Sequence, residues 1–181
     1  MIVLVDGPSG SGKTTLATRL GILLRLPVIH MDDFYPGWSG LAAGSDIIAA
    51  SVLKTTDPGY YRWDWANDRA GEWVPVPPGA KIIEGAGAVT AETLRAASIS
   101  DHRVAAIMLT GEITTRYRRA MRRDPYYEPY WEMWAEQEKR HYAVQSQGLG
   151  DLVPTLWIDT TGLDAGQVVR RAYDFITYYV E

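Results

Sequence analysis

Residues 7–14 read Gly-Pro-Ser-Gly-Ser-Gly-Lys-Thr. They match G-x-x-x-x-G-K-[ST] and follow a short apolar run of strand formers, Met1 to Val5, and then Asp6. The chemistry such a run suits is gripping a polyphosphate. Several backbone N–H groups must approach the anion closely, which glycines and small serines permit. A helix that begins where the loop ends turns its positive N-terminus on the same anion. Lys13 supplies a point charge for β- and γ-phosphates, and the Thr14 hydroxyl suits Mg²⁺. The nucleotide-binding set is read as Gly7, Ser9, Gly10, Ser11, Gly12, Lys13, Thr14 and Thr15. ATP and Mg²⁺ are therefore the expected cofactors.

Other residues fall where phosphoryl transfer to a hydroxyl needs them. Asp32 and Asp33 directly follow a second apolar run; a carboxylate there can take a proton from an acceptor oxygen or help hold the metal. Glu84 closes a third apolar run and is followed by Gly85 and Gly87; it suits water-mediated Mg²⁺ binding or a substrate hydroxyl. Residues 112–124 carry five arginines. Arg116, Arg119 and Arg123 share one helical face and Arg118 and Arg122 another, so only part of the set can neutralise phosphoryl oxygens. Glu112 is a candidate partner for Arg116. The stretch Tyr60–Trp65, with Tyr61 and Trp63, offers flat faces for a ring, and Arg62 and Asp64 offer hydrogen bonds. His30, His102 and His141 are isolated and read as structural.

Composition narrows the classes. The chain has 181 residues, 46% hydrophobic and 22% charged, which suits one domain with a sizeable core. A net charge of -4 argues against a nucleic-acid surface, even with an arginine-rich helix. No apolar run approaches the roughly 18 residues of a membrane helix. The N-terminal apolar run lacks a preceding basic region and does not read as a signal peptide. Zero cysteines exclude disulfides and thiolate metal sites and fit the cytoplasm, the expected location. Seven tryptophans and eleven tyrosines crowd into 63–73 and 126–142, which leaves monomer and homodimer open.

The elements that must position these residues alternate. Strands are expected at 1–5, 28–31, 80–85, 104–109 and 155–158, with a small edge strand at 72–76 limited by prolines. Helices are expected at 13–25, 46–54, 91–97, 112–124, from about 129 to 147, and 165–180. Residues 60–65 fit no regular element. The alternation predicts an α/β domain: a parallel sheet of about five strands flanked by helices, with a small helical lid at about 116–130. The phosphate loop, Asp32 and Glu84 all fall at carboxyl ends of strands, where ligands of such sheets sit. Asp159-Thr160-Thr161-Gly162 looks like a GTPase D-x-x-G, but no Asn-Lys-x-Asp follows. It reads as a turn after the last strand, near where an adenine can sit.

Together Gly7–Thr14, Asp32-Asp33-Phe34-Tyr35, Ile82-Ile83-Glu84-Gly85 and the arginine-rich helix before a lid resemble the uridine kinase and nicotinamide riboside kinase group of P-loop kinases. The resemblance implies the P-loop NTPase fold with strand order 2-3-1-4-5. It implies Asp32 as general base, Tyr35 against a nucleoside, and Glu84 by the sugar hydroxyls and metal. The lid arginines map to Arg119, Arg122 or Arg123. Trp63-Asp64-Trp65 stands where uridine kinases carry Asp-His-Pro, and no Arg-Gly-Arg closes the lid. The implied reaction transfers the γ-phosphoryl of ATP to a small-molecule hydroxyl, a nucleoside 5′-hydroxyl being the leading acceptor. The same motifs fit a kinase of a sugar acid, pantothenate or an antibiotic, or an ATP-dependent switch with a protein partner.

Overall fold

A computed structural model describes residues 1–99, 102–145 and 152–179. Its centre is β1 (Ile2–Asp6), in which all five residues are buried. Successive side chains of a strand point to opposite faces. Ile2 and Leu4 therefore enter one hydrophobic core, and Val3 and Val5 enter a second one. A strand apolar on both faces must be covered on both, which parallel sheets achieve with crossover helices. Five parallel strands result, in the order β2 (Val28–His30), β5 (Lys81–Glu84), β1, β6 (Val104–Thr110), β7 (Thr155–Asp159). Counted within this sheet, that is 2-3-1-4-5, as the resemblance implies.

Helices α1 (Lys13–Leu24) and α6 (Ala165–Tyr179) cover one face with Leu16, Leu20, Val168, Ala172 and Ile176. The other face is covered by α2 (Leu41–Ile47), α3 (Ala91–Ser98), α4 (Ile113–Arg123) and α5 (Trp131–Gln145). α1 ends where Arg25 turns left-handed ahead of Pro27. The expected ends of the last two helices, Gln147 and Val180, lie outside the described residues.

Three segments differ from the sequence reading. α2 begins at Leu41, not Asp46, and runs on as a wider helical turn over Ile48–Val52. Its start is built from Ala42, Ala43 and Gly44 because the helix passes close to Tyr35. A side chain at Gly44 would meet that ring at 2.6 Å. Small residues at a contact carry no apolar period, so the pattern hides the helix. Residues 60–65, which fit no element, form β3 (Gly59–Asp64). The proline-limited edge strand is β4 (Arg69–Pro75), and the two pair antiparallel as a separate hairpin. The register shifts between Tyr61 and Trp63, so the alternation that marks a strand is broken there. Finally, Pro125–Tyr130 is a 3₁₀-helix, and α5 starts only at Trp131.

Candidate active site

The phosphate loop joins β1 to α1. Gly10 adopts φ +76° and lies against the backbone of Arg116, so a methyl group there would overlap that carbonyl. Ser11 N–H donates to Pro8 O at 3.1 Å, and Lys13 Nζ donates to the same oxygen at 3.3 Å. A cavity of about 420 Å³ opens over the loop. Its walls are residues 10–16, Arg119, Ala120 and Arg123 of α4, and Thr160, Leu163, Ala165 and Val168 after β7. The turn following the last strand thus stands where the sequence suggests a base can sit. Arg119 is anchored there by Thr160, donating to its Oγ1 at 2.9 Å and its carbonyl at 2.8 Å.

A second cavity of about 470 Å³ lies on the other side of Lys13, Thr14 and Arg123, which line both. Asp32, Tyr35, Glu84 and Asp124 reach it, with Ser9 and Ala86. The remaining wall is aromatic: Trp38, Trp65, Tyr127, Tyr130 and Trp134. Trp38 stacks on Tyr130 at 3.9 Å and tilts against Trp65 at 5.0 Å.

Asp32 sits in the short 3₁₀ turn that ends β2. Its exposed surface opens on the cavity, while protein encloses it otherwise. That enclosure, and next the charge of Glu84, hold its carboxyl above the ordinary pKa; Lys13 and Arg123 pull it back. The indole N–H of Trp65 donates to the Asp32 carbonyl at 3.1 Å, so the hairpin steadies this turn. Glu84 and His30 are register partners on adjacent strands, and His30 Nδ1 lies 2.7 Å from Glu84 Oε1. That hydrogen bond raises the His30 pKa. His30, isolated in sequence, is therefore a partner of the strand-end glutamate. Glu84 does not cap the next helix, because Thr90 and Thr93 form the capping box of α3.

Other residues singled out from the sequence lie elsewhere. Asp33 accepts from the Tyr60 hydroxyl at 3.2 Å. Tyr61 is exposed and packs edge-on to Trp73. Trp63 lies near Gly37, and Asp64 accepts from Ala66, Asn67 and the Asn67 side chain to hold the hairpin turn. Arg122 lines neither cavity. Gly7 lies below the loop, where Asp6 accepts its N–H. Arg116 pairs with Glu138 at 3.8 Å, not with Glu112.

Of the second wall, Trp65 belongs to the stretch Tyr60–Trp65 marked in the sequence for ring stacking, Tyr127, Tyr130 and Trp134 fall in the aromatic-dense 126–142, and Trp38 carries no signal. Asp6 is a further hidden element. Fully buried, it accepts from Gly87 and Val89 N–H at 3.0 and 2.8 Å and from the Tyr142 hydroxyl at 2.7 Å. It thereby ties the loop after β5 to α5. For a cation the second cavity offers the Thr14 hydroxyl and the carboxylates of Asp32 and Glu84. Mg²⁺ prefers such hard oxygen donors and takes its remaining ligands from phosphates and water. Among the described residues, no three His, Cys, Asp or Glu residues form a cage of their own.

Comparison with solved structures puts this geometry in context. A gluconokinase from Sinorhizobium meliloti 1021 aligns with a TM-score of 0.61 at 15% identity, covering 98% of this chain and 92% of that one. Shikimate kinase from Acinetobacter baumannii, in complex with shikimate, aligns with a TM-score of 0.60 at 14% identity, over 98% and 93%. The chain has the fold of the P-loop small-molecule kinases. A possible uridine kinase from Bacillus stearothermophilus aligns less closely, with a TM-score of 0.52 at 17% identity over 86% and 88%. No family model and no curated protein matches the sequence. Among the described residues no helix is long and apolar enough to cross a membrane.

Proposed function

We propose that this chain transfers the γ-phosphoryl group of ATP to a hydroxyl of a small molecule with a flat ring and no carboxylate, a nucleoside-type acceptor of the uridine/cytidine or nicotinamide riboside kind. The observation that carries the reading is the meeting of two cavities at Lys13, Thr14 and Arg123, with Asp32 on one side only. An in-line transfer needs donor and acceptor on opposite sides of the moving phosphoryl. The proton of the acceptor hydroxyl passes to Asp32 as its oxygen bonds to the γ-phosphorus. The bond from that phosphorus to the β–γ bridging oxygen breaks, and ADP leaves. Lys13 and Arg123 balance charge on the equatorial oxygens. Thr14 and Glu84, the latter through water, would hold Mg²⁺, which would supply positive charge against the phosphates. Residues 116–130 act as the lid and exclude water, which would otherwise accept the phosphoryl.

Charge favours the nucleoside-type acceptor over a sugar acid or pantothenate. The cations of the second cavity are Lys13 and Arg123, which the nucleotide cavity shares, while its carboxylates are Asp32, Glu84 and Asp124. A carboxylate there would lack a partner and meet three of its own sign. The aromatic wall suits the face of a ring.

The test is ADP release from Mg·ATP across nucleosides, nicotinamide riboside, sugar acids and pantothenate, with Asp32→Asn beside the unmodified chain. The variant is expected to bind ATP and to lose a factor of ~10²–10⁴ in turnover, the usual contribution of a general base. A full rate in the variant would remove Asp32 from that role. Tight ATP binding without any acceptor-dependent rate would favour a switch.

A further inference from the structure

Ser9 of the phosphate loop is held from three directions. Its N–H donates to Glu138 Oε1 at 2.7 Å, and its carbonyl accepts from Arg116 Nη1 at 3.0 Å. Its Oγ accepts from the Tyr127 hydroxyl at 3.0 Å. The three partners come from α5, α4 and the 3₁₀-helix between them, the elements over the acceptor cavity. Glu138 and Arg116 are both largely buried and pair at 3.8 Å. Burial keeps the Tyr127 phenol protonated, so it remains a donor.

This clamp joins unlike surroundings. On one side of Ser9 lies the nucleotide cavity, with no aromatic residue in its wall. On the other, the Tyr127 ring stacks on Trp38 at 5.7 Å, and Trp38 stacks on Tyr130. A triphosphate arriving on the loop disturbs the clamp electrostatically. Lys13 lies close enough to lower the Glu138 pKa against the effect of burial. Phosphates would draw Lys13 toward themselves and set a second anion near the buried carboxylate, where charges are poorly screened.

We propose that Tyr127 is a positioning residue that couples the cavities: through its bond to Ser9, nucleotide on the loop resets the aromatic acceptor wall. By reciprocity, an acceptor on that wall changes nucleotide affinity by the same factor. The inference rests on reading the first cavity as a nucleotide site.

The experiment titrates Mg²⁺ and the β,γ-imido analogue of ATP into the full chain, following tryptophan emission and binding heat together. Trp38, Trp65 and Trp134 line the acceptor cavity and no tryptophan lines the nucleotide cavity; Trp131, packed against Tyr127 and Arg116, reports the clamp alongside them. The unmodified chain is expected to change emission in step with the heat. Tyr127→Phe keeps the ring but removes the bond to Ser9, and is expected to bind the analogue with most of the emission change lost. Ser9→Ala cuts the same bond from its other end, so the double variant should fall no further than either single one. Binding heat without an emission change in the unmodified chain overturns the coupling. So does a full emission change in Tyr127→Phe, or additive losses in the double variant. Each of these leaves the nucleotide reading standing, whereas no binding heat in the unmodified chain overturns both.

Discussion

The two cavities flank the same lysine and are built on opposite plans. The nucleotide cavity takes its floor from one continuous segment, residues 10–16, and is closed by α4 and the residues after β7. The acceptor cavity is side chain, drawn from the turn after β2, the hairpin, the end of β5 and the start of α5. At Gly10 the floor tolerates no side chain, because a single added carbon collides with the Arg116 main chain. A wall of rings tolerates exchange at Trp38 and Trp134, which contribute ring area, and less at Tyr127 and Trp65, whose hydroxyl and indole N–H each make a specific bond.

The sharpest way to break that contrast is Gly10→Ala. Its left-handed φ and the Arg116 backbone leave no room for a methyl group. The expected result is a loss of ~3 kcal/mol or more in folding stability and loss of measurable Mg·ATP binding, checked by chemical denaturation and calorimetry. An alanine that binds ATP normally would show the floor to be as forgiving as the wall. Trp38→Ala, at the centre of the aromatic stack, is expected to raise the acceptor KM by a factor of ~10–100, since truncating a large packed aromatic removes several kcal/mol at most. The ATP KM is expected to shift by a smaller factor than the acceptor KM, because Tyr127 stacks on Trp38 and bonds Ser9 of the phosphate loop. Steady-state kinetics with each substrate varied in turn separates the two.

A smaller effect sharpens the contrast through pH. Asp32 must be ionised to take a proton, and its pKa is raised first by enclosure and then by Glu84. Activity should therefore fall as pH drops through a midpoint above the ordinary carboxylate value. Glu84→Gln removes one raising influence, so the acid limb of the kcat/KM profile should move to lower pH. A limb that moves upward, or stays in place, would detach Asp32 from Glu84.

The same difference in construction explains what the sequence discloses. The nucleotide floor is legible because its chemistry is local: the glycines, Lys13 and Thr14 stand at fixed spacing in one run. The sheet order follows from the same kind of motif resemblance, and the central strands from unbroken apolar runs. Asp32 and Glu84 are findable because strand ends are marked by their neighbours. The aromatic wall has no local spacing, since Trp38 and Tyr130 meet only after α5 folds back over the sheet. Trp65 and not Trp63 lines the cavity because Trp65 stands just past the end of β3, in the hairpin turn, where the two-residue period of a strand no longer applies. The Ser9 clamp escapes for a similar reason: Glu138 lies 129 residues away in the chain.

The hairpin of β3 and β4 forms its own two-stranded sheet, outside the five-stranded one, yet its Trp65 touches the carbonyl of the proposed base. An insert with that attachment behaves as a cassette. Its loop can be lengthened, recomposed or grafted from another chain while the parallel sheet and its phosphate floor keep their register. A library at Trp65 and the turn residues 66–68 would vary the hairpin's contribution to the acceptor cavity while leaving the parallel sheet untouched.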